Sequence, residues 1–105
     1  MSGIAGIISL DGTLVPAEYL TQMTASMPHR GVDGIYHHID EHAALGQCII
    51  YRTAESREGV LPLSCAQSQL TLIMDGRVDN WEELRKTLLD NHCQLLNRSD
   101  SELVL

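Results

Sequence analysis

Phenylalanine is absent from this 105-residue chain, and aromatics as a whole are scarce: one Trp and three Tyr. A core must then be assembled from Leu, Ile, Val, Met and Ala. Positive charge is also short. Seven Lys and Arg stand against fourteen Asp and Glu, for a net charge of -7, and no basic cluster occurs anywhere. Nucleic acid, which demands a basic footprint, is excluded as a partner. No apolar run approaches membrane-spanning length, so no membrane partner is expected either. The start lacks a basic n-region, and its apolar run at residues 4–10 is short and closed by Asp11-Gly12. It is not read as a signal peptide, and a cytoplasmic location is expected. Cysteine is limited to Cys48, Cys65 and Cys93. Their odd number and wide spacing fit neither a disulfide framework nor a zinc site. Reduced thiols packed as small apolar fillers are expected.

What is present reads as an ordinary globular chain, 44% apolar and 20% charged. Its length suits one domain at most, able to bury roughly two thirds of its surface on folding. Residues 4–10 read as a strand. Pro16 is well placed to start a helix carrying Leu20, Met23 and Met27 on one stripe, and that helix stops before Pro28. Residues 35–39 and 43–51 read as two strands around an Asp40-Glu41-His42 turn. Residues 53–59 read as a polar surface loop. Pro62 keeps residues 61–63 extended, and residues 69–74 form a further strand. Asn80-Trp81-Glu82-Glu83 is a capping box ahead of a helix with a Trp81, Leu84, Leu88 stripe, taken as core. A second capping box, Ser99-Asp100-Ser101-Glu102, precedes the final Leu103-Val104-Leu105. Successive strands without intervening helices predict antiparallel pairing, hence an α+β fold. One helical turn is unstable alone, so residues 1–105 are expected to be part of a domain that continues beyond 105. Sheet faces and edges normally covered by the remainder are then expected to be exposed.

The richest stretch chemically is Met1-Ser2-Gly3-Ile4-Ala5-Gly6. Trimming Met1 from before the small Ser2 would leave a hydroxyl and a free α-amine on one residue. That pairing is one way to build a nucleophile with its own base. The same six residues also suit a plain N-terminal strand. His37, His38 and His42 lie near a turn, but His37 and His38 face opposite sides of an extended segment, and no second cluster offers metal-ligand spacing. No metal site is expected. Asp33, Asp40 and Glu41 read as turn and surface carboxylates.

Four stretches in register resemble one family. They are Met1-Ser2-Gly3-Ile4-Ala5-Gly6, His29-Arg30-Gly31-Val32-Asp33-Gly34, Met74-Asp75-Gly76-Arg77-Val78-Asp79-Asn80 and Arg98-Ser99-Asp100-Ser101-Glu102. Their order and spacing resemble the class II glutamine amidotransferases, closest to the N-terminal domain of asparagine synthetases. The resemblance implies the N-terminal-nucleophile hydrolase fold, an αββα sandwich of antiparallel sheets, of which this is the N-terminal portion. Such domains release ammonia from glutamine and pass it to a C-terminal synthetase domain. The resemblance therefore implies that domain as partner, with ATP and Mg needed only there and no cofactor in this chain. It leaves glutamine as a candidate ligand and a homo-oligomer open.

The departures from the family pattern fall on the functional positions. Ser2 stands where the family has a Cys nucleophile. A thiol is partly ionised near neutral pH, whereas a hydroxyl needs an efficient base. Val32 replaces the Pro of the His-Arg-Gly-Pro-Asp-Gly loop, which loosens it modestly. Ile49 occupies the position of the Arg that holds the glutamine carboxylate. Arg52 is nearby but an odd number of residues away, hence on the other face of a regular strand. The family's Asn-Gly-Glu becomes Asp75-Gly76-Arg77. Gly76 can still donate its backbone N–H to an oxyanion, but ionised Asp75 cannot donate and would repel the developing charge. Loss of one such donor costs around 10² to 10³ in rate. Arg77 reverses the charge of a Glu that faces the substrate ammonium. Asp100 keeps the family's amino-group ligand, and equally suits a helix start.

Two readings follow. One is a degenerate glutaminase domain whose role in an asparagine synthetase-like, ATP-dependent amide-forming enzyme is structural. The other is an active glutamine-hydrolysing domain with Ser2 as its N-terminal nucleophile.

Overall fold

The computed structural model describes residues 1–105. Strand β1 (Gly3–Ile8) is followed by helix α1 (Ala17–Ala25) and a 3-10 turn over Pro28–Arg30. Strands β2 (Gly34–Ile39) and β3 (Ala43–Ile49) make a hairpin, and a second 3-10 turn covers Glu55–Arg57. Short strands β4 (Leu63–Cys65) and β5 (Leu70–Leu72) lead to helices α2 (Trp81–Asp90) and α3 (Asp100–Val104). All pairing is antiparallel: one sheet in the order β1-β3-β2 and a separate β4-β5 hairpin. The fold is α+β with antiparallel sheets, as the strand order implies.

Alternation along β3 sorts the molecule into layers. Ala44, Gly46 and Cys48 face α1. Gly46 lets the helix come close, because a Cβ there would lie 2.7 Å from Thr24 Cγ2 and 3.2 Å from Leu20 Cδ1. The apolar core gathers Ala5, Leu20 and Ala44, with Ile7, Val15 and Met27 around it. His37, on this same face, meets Thr24 Oγ1 at 3.0 Å. On the opposite face His38 Nε2 reaches Thr71 Oγ1 at 3.4 Å, and Gln47 pairs with the backbone of Met74. The segment through β5 therefore lies over the side of the sheet that α1 leaves open. The two histidines do point to opposite faces.

Several sequence expectations are corrected. Accessible surface totals 7222 Å², against about 5,800 Å² for a compact monomer of this mass. The molecule measures 42 × 31 × 17 Å, so it is thin, and only 12 of 105 residues are buried. The Trp81 stripe is not core: Trp81 is 44% exposed and no residue of α2 is fully buried. Its apolar side has too few neighbours to cover it. Neither capping box closes. Asn97 Oδ1 instead accepts from the Ser99 N–H and hydroxyl, at 2.8 and 2.6 Å, in an Asx turn that satisfies Ser99 first. Glu102 turns to the Leu96 N–H. Among the cysteines Cys48 is a buried filler whose thiol pKa is pushed up by burial, but Cys65 is half-buried and Cys93 is exposed.

Candidate functional site

Ser2 sits just before β1 and is half-buried. The register Gly3↔Cys48 places it next to Ile49 at the end of the central strand, on the face away from α1. Its Oγ accepts the Ile50 N–H at 3.0 Å and reaches Ile50 O at 3.4 Å. The hydroxyl is thereby fixed against the chain that leaves β3.

The loop at residues 29–34 is brought to the same end of the sheet. Arg30 Nη1 donates to Ser2 O at 3.2 Å. The Arg30 stem and Met27 Sδ fill the space beside Gly3, where a Cβ would come within 3.1 to 3.3 Å of them. Asp33 acts as a clamp: its N–H donates to Ile49 O at 2.9 Å, and its Oδ2 accepts the Tyr51 N–H at 2.8 Å. Its carboxylate is thus a loop-fixing group, as a turn residue should be. Val32, in the place of the expected Pro, is 76% exposed and unconstrained by packing.

Ile49 itself is buried, 7% exposed, so the position offers a methyl surface and no donor. Strand β3 ends there, and Arg52 lies beyond it in the turn, exposed, with its N–H bonded to Ser56 Oγ at 3.3 Å. The strand-parity argument about Arg52 therefore does not apply; it is the end of the strand that removes it.

The Asp75-Gly76-Arg77 segment is exposed but held at both ends. On one side Met74 N–H donates to Gln47 Oε1 at 2.9 Å and Gln47 Nε2 donates to Met74 O at 3.0 Å. On the other, Val78 N–H donates to Asp100 Oδ2 at 2.8 Å. Asp75 makes no hydrogen bond, and Arg77 pairs with its neighbour Asp79 at 3.2 Å in full solvent. Asp100 opens α3 and is half-buried, so its carboxylate does a backbone-anchoring job at the position matched to the family's amino-group ligand. The α3 start is fastened in turn by the Arg98–Glu58 ion pair, which holds the Glu58 carboxyl below its ordinary value.

Ser2, Ile49 and Gln47 share one sheet face, and Gln47 carries the turn with Asp75 and Gly76. No hydrogen bond joins Ser2 to Asp75, Gly76, Arg77 or Asp100. Sequence reasoning missed Gln47, which is fully buried. The signal was there: a lone amide in the apolar run Leu45-Gly46-Gln47-Cys48-Ile49-Ile50 must find partners or cost stability.

A family model described as glutamine amidotransferase domain matches residues 1–105, the whole chain. No curated protein and no solved structure matches it.

Proposed function

The chain belongs to the glutamine amidotransferase domain family, and from that premise we propose that it is a degenerate member whose glutaminase chemistry is lost. Its role is structural, in an asparagine synthetase-like, ATP-dependent amide-forming enzyme. The observation that carries this reading is Ile49, a buried aliphatic side chain next in sequence to Ile50, whose backbone holds the Ser2 hydroxyl. A glutamine carboxylate seated there would lose its hydration and gain no hydrogen bond, which costs several kcal/mol. Asp75 supports the same reading, since an exposed carboxylate beside Gly76 opposes an oxyanion rather than stabilising one. Arg77 supports it too, presenting a cation where the family presents an anion. On this reading ATP and Mg act in the partner synthetase domain and not on these residues.

One observation favours the second reading, an active domain with Ser2 as nucleophile. Arg30 still packs over Gly3 and donates to Ser2 O, so the scaffold around the first residues is intact. Incubation of the protein with glutamine, followed by assays for glutamate and ammonia, separates the two. We expect no release above the blank. Steady turnover that disappears in Ser2→Ala would establish the second reading and end the first.

A further inference from the structure

The two ends of β1 differ. Ser2 and Arg30 lie at its start. At its far end the chain leaves the sheet, and there Ile8, Leu10, Leu14 and Tyr19 border a hollow of about 390 Å³, within the ordinary range for a binding cleft. Leu10 is 96% exposed, Leu14 71% and Ile8 69%. These side chains do not hang on a loose segment. Asp11 Oδ1 accepts from the Ser9 hydroxyl at 2.9 Å, the Thr13 N–H at 3.1 Å and the Thr13 hydroxyl at 2.7 Å. The Ser9 N–H donates to His42 O at 2.8 Å and the Val15 N–H to Glu41 O at 3.2 Å, which pins the segment to the turn between β2 and β3. The leucines are thus held out in water at fixed positions, where a partner would bury them at little cost in ordering.

We propose that this end of the molecule is a docking surface for a partner protein, engaged through a segment of aliphatic side chains flanked by Lys or Arg. Contiguous exposed apolar side chains mark an interaction surface, and charge selects what covers this one. Asp11, Glu18, Asp40 and Glu41, all exposed, belong to the elements that build this end. No Lys or Arg occurs in residues 1–29 or 31–51. Arg30 is spent at the other end of β1, on Ser2 O. The one further group here able to carry positive charge, His42, has its Nδ1 3.3 Å from Thr13 O and its Nε2 3.9 Å from Glu41. The Thr13 hydroxyl, then the Thr13 N–H and the Ser9 hydroxyl, lower the Asp11 carboxyl to about 2, so its charge persists at any ordinary pH. An apolar centre with an acidic surround repels anionic lipid and also a second copy of this chain, whose net charge is -7. It attracts a cationic partner and fixes its register. Lys and Arg suit the rim because their stems lie along apolar surface while their heads reach the carboxylates.

The surface lies at the opposite end of β1 from Ser2 and needs no hydrolysis, so it stands or falls separately from the loss of glutaminase activity. The test is a methyl-detected NMR titration of the full chain with the amidated peptide Lys-Leu-Leu-Lys-Leu-Leu-Lys. Its analogues with Glu in place of Lys and with Ser in place of Leu are titrated alongside, as are phosphatidylcholine vesicles. Saturable shifts at the Ile8, Leu10 and Leu14 methyls are expected with the first peptide, weakening as salt is added. Each analogue should bind about tenfold more weakly or worse. Leu10→Ser should cost the first peptide a similar factor, and the double variant Glu18→Gln, Glu41→Gln should lower both the affinity and its salt dependence. Leu96→Ser, at a leucine 89% exposed elsewhere on the molecule, should change nothing. Equal binding of the Lys and Glu peptides, or of the Leu and Ser peptides, would overturn the proposal, whatever the variants do. So would a Leu10→Ser protein that binds normally, or no saturable shift at those methyls. Shifts there with vesicles as large as with the peptide would assign the surface to lipid, and concentration-dependent shifts without any peptide would assign it to a second copy; either result ends the proposal.

Discussion

On one face of β3, Ala44, Gly46 and Cys48 lie under α1 and are sealed by Leu20, with no accessible surface left on Leu20, Ala44 or Cys48. On the other face Gln47 and Ile49 meet the chain of residues 51–105, which is attached by the polar ties of Gln47 to Met74 and His38 to Thr71 and is tied within itself by Asp100 to Val78 and Glu58 to Arg98. The first face is held by apolar contact that is non-directional and cooperative. The second is held by hydrogen bonds whose net worth is about 0.5–1.5 kcal/mol each, somewhat more where a charge takes part. Three positions that depart from the family pattern (Ile49, Asp75, Arg77) lie at or beyond the polar-tied face. Arg30 and Gly3 still pack as a unit beside the apolar one. A scaffold sealed by apolar packing tolerates change at a site that hangs from it by a few directional bonds.

The sharpest way to break this comparison is through the sealed face. Leu20 is completely buried against Ala5 and Ala44. Leu20→Ala should cost about 2–5 kcal/mol, the usual price of a Leu-sized void in a core that cannot collapse to fill it. With so few buried residues in total, that is enough to unfold most of the protein at room temperature. Urea titration followed by circular dichroism would measure it. A loss under about 1 kcal/mol would mean that α1 is not the sealing element.

Sequence pattern made the apolar face legible and left most of the polar face hidden. Strands β1, β2 and β3 fall where alternation and the Asp40-Glu41-His42 turn put them. Pro16 and Pro28 bracket α1, although its inner face is formed by Leu20 and Thr24, with Met23 outward and Met27 packing on the core from just past the helix end, rather than by the apolar Leu20, Met23, Met27 stripe. Thr24 was invisible because its hydroxyl is satisfied locally, by Leu20 O at 3.1 Å, which lets a polar residue be buried at little cost. Gln47 was missed because its partner is a backbone 27 residues away. The Ser99 capping box was misread because Asn97, two residues upstream, offers the nearer acceptor. Non-local ties leave no periodic trace. The site positions came from motif resemblance and not from periodicity. That is why Asp100 could be placed at a helix start but its bond to Val78 could not be foreseen.

The tie at Gln47 offers a smaller test on the other side of the comparison. Gln47→Leu keeps the bulk and removes both the donor and the acceptor facing Met74. Each Met74 group left unpaired costs about 1–3 kcal/mol when dry. Met74 is only half-buried, so water recovers part of this and the low end is expected. The effect should be local. Hydrogen exchange at Met74 should quicken at least tenfold, while amides of β1 and β3 keep their protection. Gln47→Glu retains the acceptor for the Met74 N–H and should fall between. Faster exchange spread evenly over the whole three-stranded sheet would show that the two faces are one cooperative unit.

The weakest expected effect is acid release of the α3 start. Arg98 hydrogen-bonds and pairs with Glu58, which lowers the Glu58 carboxyl below its ordinary value of 4.5. A depressed carboxylate stabilises the folded state fully above that ordinary value, and its contribution is lost as pH falls through the lower, folded-state value. The pair is exposed, so the change in global stability should be slight and further reduced by salt. The local consequence should still be visible. Below pH 4.5 the Arg98 N–H, which donates to Glu58 Oε2 at 3.1 Å, should lose its protection before any amide of β3. Glu58→Ala, which removes the acceptor, should abolish that pH dependence and leave Arg98 unprotected throughout. If Arg98 and β3 instead open together as the acid is added, the ion pair is not an independent tie, and the polar-tied half is bound to the sheet by something stronger than the bonds seen here.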